Sequence, residues 1–262
     1  SYAIEKDDFE NISETNKYWS DKFTQVADAG NHYGKITKKG LVTSSYFDGY
    51  LRPKEVELTV SALASSNFGI FLSTNTGNQT NKGLWFYNSF AKRMLGIWGY
   101  GADKNESARI TTFDKNMAKT PDTPYIRLCN SDFIKIKMQM DYSEWKSSRR
   151  VNVTYTVTGK IFGINTDGQD WTEQTEGYDA NNVYYTKNGT VYHIGDEFTF
   201  EPATYSFTYE GADYETLLRL CIGSPESQAT FAVDNYSASY DTEHGELCRF
   251  IGENKSALNG SD

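Results

Sequence analysis

At 262 residues the chain is long enough for two small domains or one large β-sandwich, and its 19 Tyr, 15 Phe and 5 Trp exclude disorder over most of it. A formal net charge of -9 and a pI near 5.0 exclude nucleic acid or an anionic membrane as partner, because the basic pairs Lys38-Lys39 and Arg149-Arg150 are too sparse to outweigh that repulsion. No run approaches the roughly 18 apolar residues of a membrane span, and the opening Ser-Tyr-Ala-Ile-Glu has no charged segment leading into an apolar one.

The dominant hydrophobic period along the chain is two, in short segments bounded by Gly, Asn, Asp and Ser, which predicts strands and almost no helix. The first lie over 56–63 and 68–73. Next comes a hairpin with strands over 84–88 and 95–100 and its turn over 89–92. A strand over 133–141 puts Ile134, Ile136, Met138 and Met140 on one side and Lys135, Lys137 and Gln139 on the other, so one face is buried and one is wet. A turn over 143–150 leads to a strand over 151–158, where Val151, Val153, Tyr155 and Val157 oppose Asn and Thr. Asn188-Gly189 marks a tight hairpin within 184–194, because both residues tolerate positive φ. Strands over 216–223 and 230–240 follow, and the polar stretches 103–123 and 165–182 read as long surface loops. The pattern predicts an all-β, two-sheet antiparallel sandwich forming one domain over 1–251, with 252–262 a polar tail or linker toward the rest of a larger multidomain surface protein.

The hairpin carries the unusual signal. If Leu84, Phe86, Leu95 and Ile97 face the core, alternation turns Trp85, Tyr87, Met94, Trp98 and Tyr100 to the other side, with Gly96 and Gly99 leaving space between them. An exposed aromatic platform of this kind suits sugars, whose axial C–H groups stack on the negative face of an indole or phenol while their hydroxyls need planar polar partners. The expected ligand-binding residues are therefore Trp85, Tyr87, Trp98 and Tyr100, with Asn78, Gln79 and Lys82 for the hydroxyls. The bland alternative is that Trp85 and Trp98 are core residues under a further strand or loop. Trp19 reads as core, and Trp145 and Trp171 as rim contacts or loop anchors.

Signals for catalysis are weak. The Glu-x-Asp-x-x-Glu strand pattern of paired glycosidase carboxylates is missing, and Glu55 with Glu57, or Asp141 with Glu144, read as solvated charges. His32, His193 and His244 are scattered, and there is no Gly-x-Ser-x-Gly elbow and no zinc-ligand spacing. The expectation is no enzyme and no cofactor. Calcium is the one credible ion, with Asp167, Asp170 and Asp234 as its ligands, although acidic loops are more often simply solvated. Cys129, Cys221 and Cys248 form no Cys-x-x-Cys pair and read as structural thiols.

Phe231-Ala-Val-Asp-Asn-Tyr-Ser-Ala-Ser-Tyr240 resembles the closing strand of concanavalin A-like jelly rolls. Phe133-Ile-Lys-Ile-Lys-Met-Gln-Met-Asp-Tyr142 with the strand after it is similar to their paired central strands, and Phe9-Glu-Asn and Asn31-His-Tyr-Gly34 extend the likeness. The overall texture is similar to starch-adherence surface proteins of gut bacteria. The resemblance implies a jelly roll that binds an α-glucan on a Trp/Tyr platform, on a secreted or cell-surface protein, but assigns no individual residue. A non-catalytic polysaccharide-binding module is the leading reading. A jelly-roll glycoside hydrolase and a protein-binding adhesin module are the alternatives.

Overall fold

The computed structural model describes residues 2–44, 52–63, 66–74, 82–89, 94–103, 126–129, 132–164, 172–173 and 184–241. The chain runs β1 (Tyr2–Asp7), α1 (Ile12–Tyr18), β2 (Thr24–Asp28), β3 (Asn31–Thr43), β4 (Pro53–Leu63), β5 (Phe68–Thr74), β6 (Lys82–Ser89), β7 (Met94–Tyr100), β8 (Ile126–Cys129) and β9 (Ile134–Asp141). It continues through α2 (Trp145–Ser148), β10 (Arg150–Ile164), β11 (Thr172–Glu173), β12 (Tyr184–Lys187), β13 (Thr190–His193), β14 (Glu197–Thr199), β15 (Ala203–Thr208) and β16 (Leu218–Asp241). The protein is all-β, and every pairing from β1 to β16 is antiparallel.

The expected two-sheet sandwich is corrected here to a closed barrel. Eight strands, β16, β5, β6, β7, β8, β10, β9 and β4, form a ring in which each is bonded to the next and β4 returns to β16. Two long strands close it. In β16, residues 218–223 pair with β5, and after an irregularity between Ser224 and Gln228 residues 230–240 pair with β4, while β3 runs along the other edge across the bend. In β10, residues 152–158 pair with β9 and residues 161–164 with β8, again across a register shift. A sandwich would leave edges there with unpaired N–H and C=O groups, and bending a shared strand through a bulge satisfies them.

Alternation drives the burial. Val56, Leu58, Val60, Ile136, Met138, Val151, Val153 and Val157 all point inward and are fully buried, and Phe68 stacks between Phe86 and Phe231 in the centre. The 143–150 turn contains the short helix α2, and its Trp145 is a buried anchor whose indole N–H donates to the Tyr214 carbonyl at 2.8 Å. Asn188 and Gly189 have φ of 50° and 79°, as a tight hairpin between β12 and β13 requires. Cys129 and Cys221 are buried, and Cys248, Trp171 and the 252–262 tail lie outside the described residues. No helix among the described residues is long and apolar enough to cross a membrane.

Candidate functional site

Leu84, Phe86, Leu95 and Ile97 are buried against the core, so the opposite side chains of β6 and β7 emerge on the outer face of the barrel. Trp85 pairs directly with Trp98 across the hairpin, Tyr87 with Gly96, and Tyr100 with Gly83. The rings associate in two groups. Trp85 lies 5.5 Å from Tyr100, and both pack on Phe71, at 6.1 and 5.6 Å. Tyr87 and Trp98 form the second group, with centroids 6.0 Å apart. Tyr87, Trp98 and Tyr100 are half-buried, whereas Trp85 is buried at 9% exposure and Phe71 completely so.

Glycines set the floor beneath these rings. A Cβ on Gly69 would stand 2.2 Å from the Phe71 ring, and one on Gly83 would stand 2.1 Å from the Ile70 carbonyl oxygen, so bare backbone lets Phe71 lie flat. Gly99 does something other than space the platform. It faces the core, where a Cβ would come within 2.3 Å of the Tyr205 ring.

Lys82 does not join the aromatic group. It shares the inward side of β6 with Leu84, donates to the Gly101 carbonyl at 3.2 Å and stands 5.9 Å from the Tyr209 ring centroid. Asn78 and Gln79 lie outside the described residues. A carboxylate does reach this face, since the Tyr100 hydroxyl donates to Glu226 at 3.4 Å. Burial, and then the Glu226 charge, push that hydroxyl above its ordinary pKa.

Two members of the face were not singled out in the sequence. Phe71 sits in a strand whose every residue is buried, so alternation gives no sign that it faces outward. Arg127 lies between the core residues Ile126 and Leu128 on β8, which turns it to the same outer side as Trp98. It is fully buried, and desolvation lowers its pKa to about 9. A basic residue between two apolar ones at outward parity was the available signal.

Asp234 stands elsewhere, on the second half of β16. It is buried at 2% exposure, accepts from the Asn31 amide and the Asn235 backbone N–H, both at 2.8 Å, and its pKa is raised chiefly by desolvation. Asp167 and Asp170 lie outside the described residues, among which no three His, Cys, Asp or Glu side chains group in a manner to hold a metal ion.

No protein-family profile and no curated protein matches the sequence. Among solved structures, the chain is similar to a transglycosylase and to a laminarinase. The Crh5 transglycosylase in complex with NAG is 9% identical, with a TM-score of 0.37 over 91% of this chain and 83% of that one. The apo Crh5 transglycosylase is 10% identical, with a TM-score of 0.36 over 90% and 83%. The laminarinase from Flavobacterium sp. UMI-01 is 11% identical, with a TM-score of 0.30 over 92% and 93%. These neighbours are enzymes, which stands against the expectation of no enzyme, and at these TM-scores they assign no activity to this chain. At such identities no residue of theirs transfers to this chain, and the site is argued from its own side chains.

Proposed function

We propose that this protein is polysaccharide-active, acts outside the cell or at its surface, and holds a glucan, with α-glucan foremost, across the outer face of β6 and β7. The observation that carries this reading is the half-buried pair of Trp98 and Tyr87 beside Tyr100, outside a hairpin whose inner face is already core. Aromatic rings at partial exposure on a rigid sheet stack on pyranose C–H faces without first being ordered, which favours affinity.

Glycoside cleavage or transfer belongs to the same proposal. Such chemistry takes a pair of carboxyl groups flanking the scissile bond, and Glu226, held against Tyr100, is in position to supply one of them.

The test is affinity electrophoresis through starch, laminarin and other glucans, with reducing ends and chain lengths assayed in parallel. Retention by at least one glucan that Trp98→Ala abolishes, with product formation that Glu226→Gln abolishes while retention stays, is the expected result. No retention on any glucan, or retention indifferent to Trp98→Ala, overturns the binding face. Product formation indifferent to Glu226→Gln removes Glu226 from the chemistry.

A further inference from the structure

On the second half of β16, beyond its bend and away from the aromatic face, a groove of about 550 Å³ opens between the end of β1, the helix α1 and the turn at Asn235. Its construction is rigid. Asp7, 8% exposed, ends β1 and accepts three hydrogen bonds: from the Phe9 backbone N–H at 2.8 Å, the Thr15 hydroxyl at 2.9 Å and the Trp19 indole N–H at 3.1 Å. One carboxylate thereby ties α1 to the strand. Phe9 is left-handed, with φ of 58°, and its ring is driven into Trp19 and Phe23 over a Gly34 whose Cβ would stand 2.4 Å away. The opposite wall turns at a second left-handed residue, Asn235, with φ of 48°, inside the β16–β4 register shift between Asp234 and Ser237. Two non-glycine residues held at positive φ bracket one groove, and such conformations persist only where surrounding contacts impose them.

The lining has a defined chemistry. Tyr18 offers an aromatic ring at 37% exposure, and the exposed side chains of Lys6, Asp8, Asn11 and Asn235, with half-buried Ser237, offer donors and acceptors around it. The volume falls within the roughly 300–1,000 Å³ of small-molecule sites. Charge narrows the ligand. Asp7, Asp8 and Glu14 face the groove against the single amine of Lys6, a net negative lining that repels an anion, while a bare cation meets no open carboxylate cluster, because Asp7 already accepts three hydrogen bonds and Glu14 is paired with Lys17 at 2.8 Å. A phenol face with two carboxamides, a hydroxyl and carboxylate acceptors matches an uncharged polyhydroxylated ring.

We infer that this groove is a second saccharide site, separate from the β6–β7 face, that takes a short neutral oligosaccharide with one ring against Tyr18. Occupancy here leaves the aromatic face open, so one polymer or two chain ends engage the barrel at two places, and apparent affinity for a polysaccharide exceeds that for a trisaccharide.

The test uses the full ¹⁵N-labelled chain carrying Trp98→Ala, which separates this site from the proposed aromatic face, titrated with maltotriose, laminaritriose and, as charged control, trigalacturonate. The expected result is saturable amide shifts confined to residues around Lys6, Asp8, Asn11, Tyr18 and Asn235 with at least one neutral trisaccharide, and none with trigalacturonate. Adding Tyr18→Ala weakens that binding by about tenfold or more. Asn235→Gly keeps the left-handed turn while removing the carboxamide, and weakens binding severalfold with an unchanged amide spectrum elsewhere. Absence of saturable shifts in the groove with both neutral trisaccharides at tens of millimolar overturns the inference, as does binding that survives Tyr18→Ala. Binding of trigalacturonate equal to that of the neutral sugars overturns the assigned ligand class.

Discussion

Trp85 and Trp98 are direct partners across the β6–β7 hairpin, yet one is sealed and the other half-open: Trp85 is 9% exposed and rests on buried Phe71, while Trp98 is half-buried beside Tyr87. Equal register with unequal cover means that the same substitution reads two different properties. Trp85→Ala opens a cavity above Phe71 and is expected to cost about 3–5 kcal/mol in urea unfolding. Trp98→Ala is expected to cost about 1 kcal/mol or less while removing glucan retention. Equal stability losses in the two variants would contradict the division of labour.

Arg52 organises the segment that leads into β16. Its guanidinium is fully buried 4.6 Å from the Trp145 ring, with Tyr142 and Tyr214 at 5.9 and 5.7 Å, and its Nε donates to the Thr216 carbonyl at 3.3 Å. The planar fork satisfies carbonyls of the segment before β16 while the ring faces take the charge, a combination an ammonium cannot reproduce. Arg52→Ala is expected to lose about 3 kcal/mol or more, and Arg52→Lys to recover less than half of that, as read by the urea midpoint. Full rescue by lysine would show that charge alone suffices.

Much of the barrel was legible from period two alone. Ile134, Ile136, Met138 and Met140 are buried while Lys135 and Lys137 reach Glu57 and Glu55 across the strand boundary, as alternation requires. The closure was not legible, because β16 reads as two strands, 216–223 and 230–240, separated by polar Ser224 and Gln228, and sequence carries no sign that one continuous bent strand serves both halves. The N-terminal strands were also missed. β3 is mostly polar and only partly buried along one edge, so it lacks the apolar alternation that marks a half-buried strand. In the site, the outward direction of Trp85, Tyr87, Trp98 and Tyr100 followed from the hairpin. The depth of Trp85 did not, because it depends on Phe71, which stands on β5, two strand pairings away from Trp98 in the same face.

Two glycines separate steric from conformational need. At Gly83 a methyl group meets the Ile70 carbonyl oxygen at 2.1 Å and the Phe71 Cα at 2.7 Å, both backbone, so β5 and β6 must part to admit it. At Gly189 nothing lies within 4 Å, and only the φ of 79° resists a side chain. Gly83→Ala is expected to cost upward of about 3 kcal/mol or to prevent folding, and Gly189→Ala about 1 kcal/mol. Soluble yield and urea midpoints of the two variants, compared side by side, decide this; a mild Gly83→Ala would mean that the strands are not locked at this contact.

Asp234 gives the pH dependence a sign. Burial raises its pKa above that of the unfolded chain, despite hydrogen bonds from Asn31 and Asn235 that favour the charged form, and the carboxylates of Glu10 and Asp8 push it further the same way. The folded state therefore holds the proton more tightly than the unfolded one. The stability contributed by that proton is fully present below the unfolded Asp value of about 3.9 and is lost as pH rises through the folded value, so that at neutral pH the ionised group is a net cost. Asp234→Asn keeps an acceptor for the Asn235 N–H, and Asn31 can turn its own amide oxygen toward the new donor. The variant is expected to be at least as stable as the parent at pH 7 and to show a flatter loss of stability over the window just above pH 4, in urea titrations run with a chelator present. A variant less stable than the parent at pH 7 under those conditions would show that the charged carboxylate, through the bonds from Asn31 and Asn235, outweighs its desolvation.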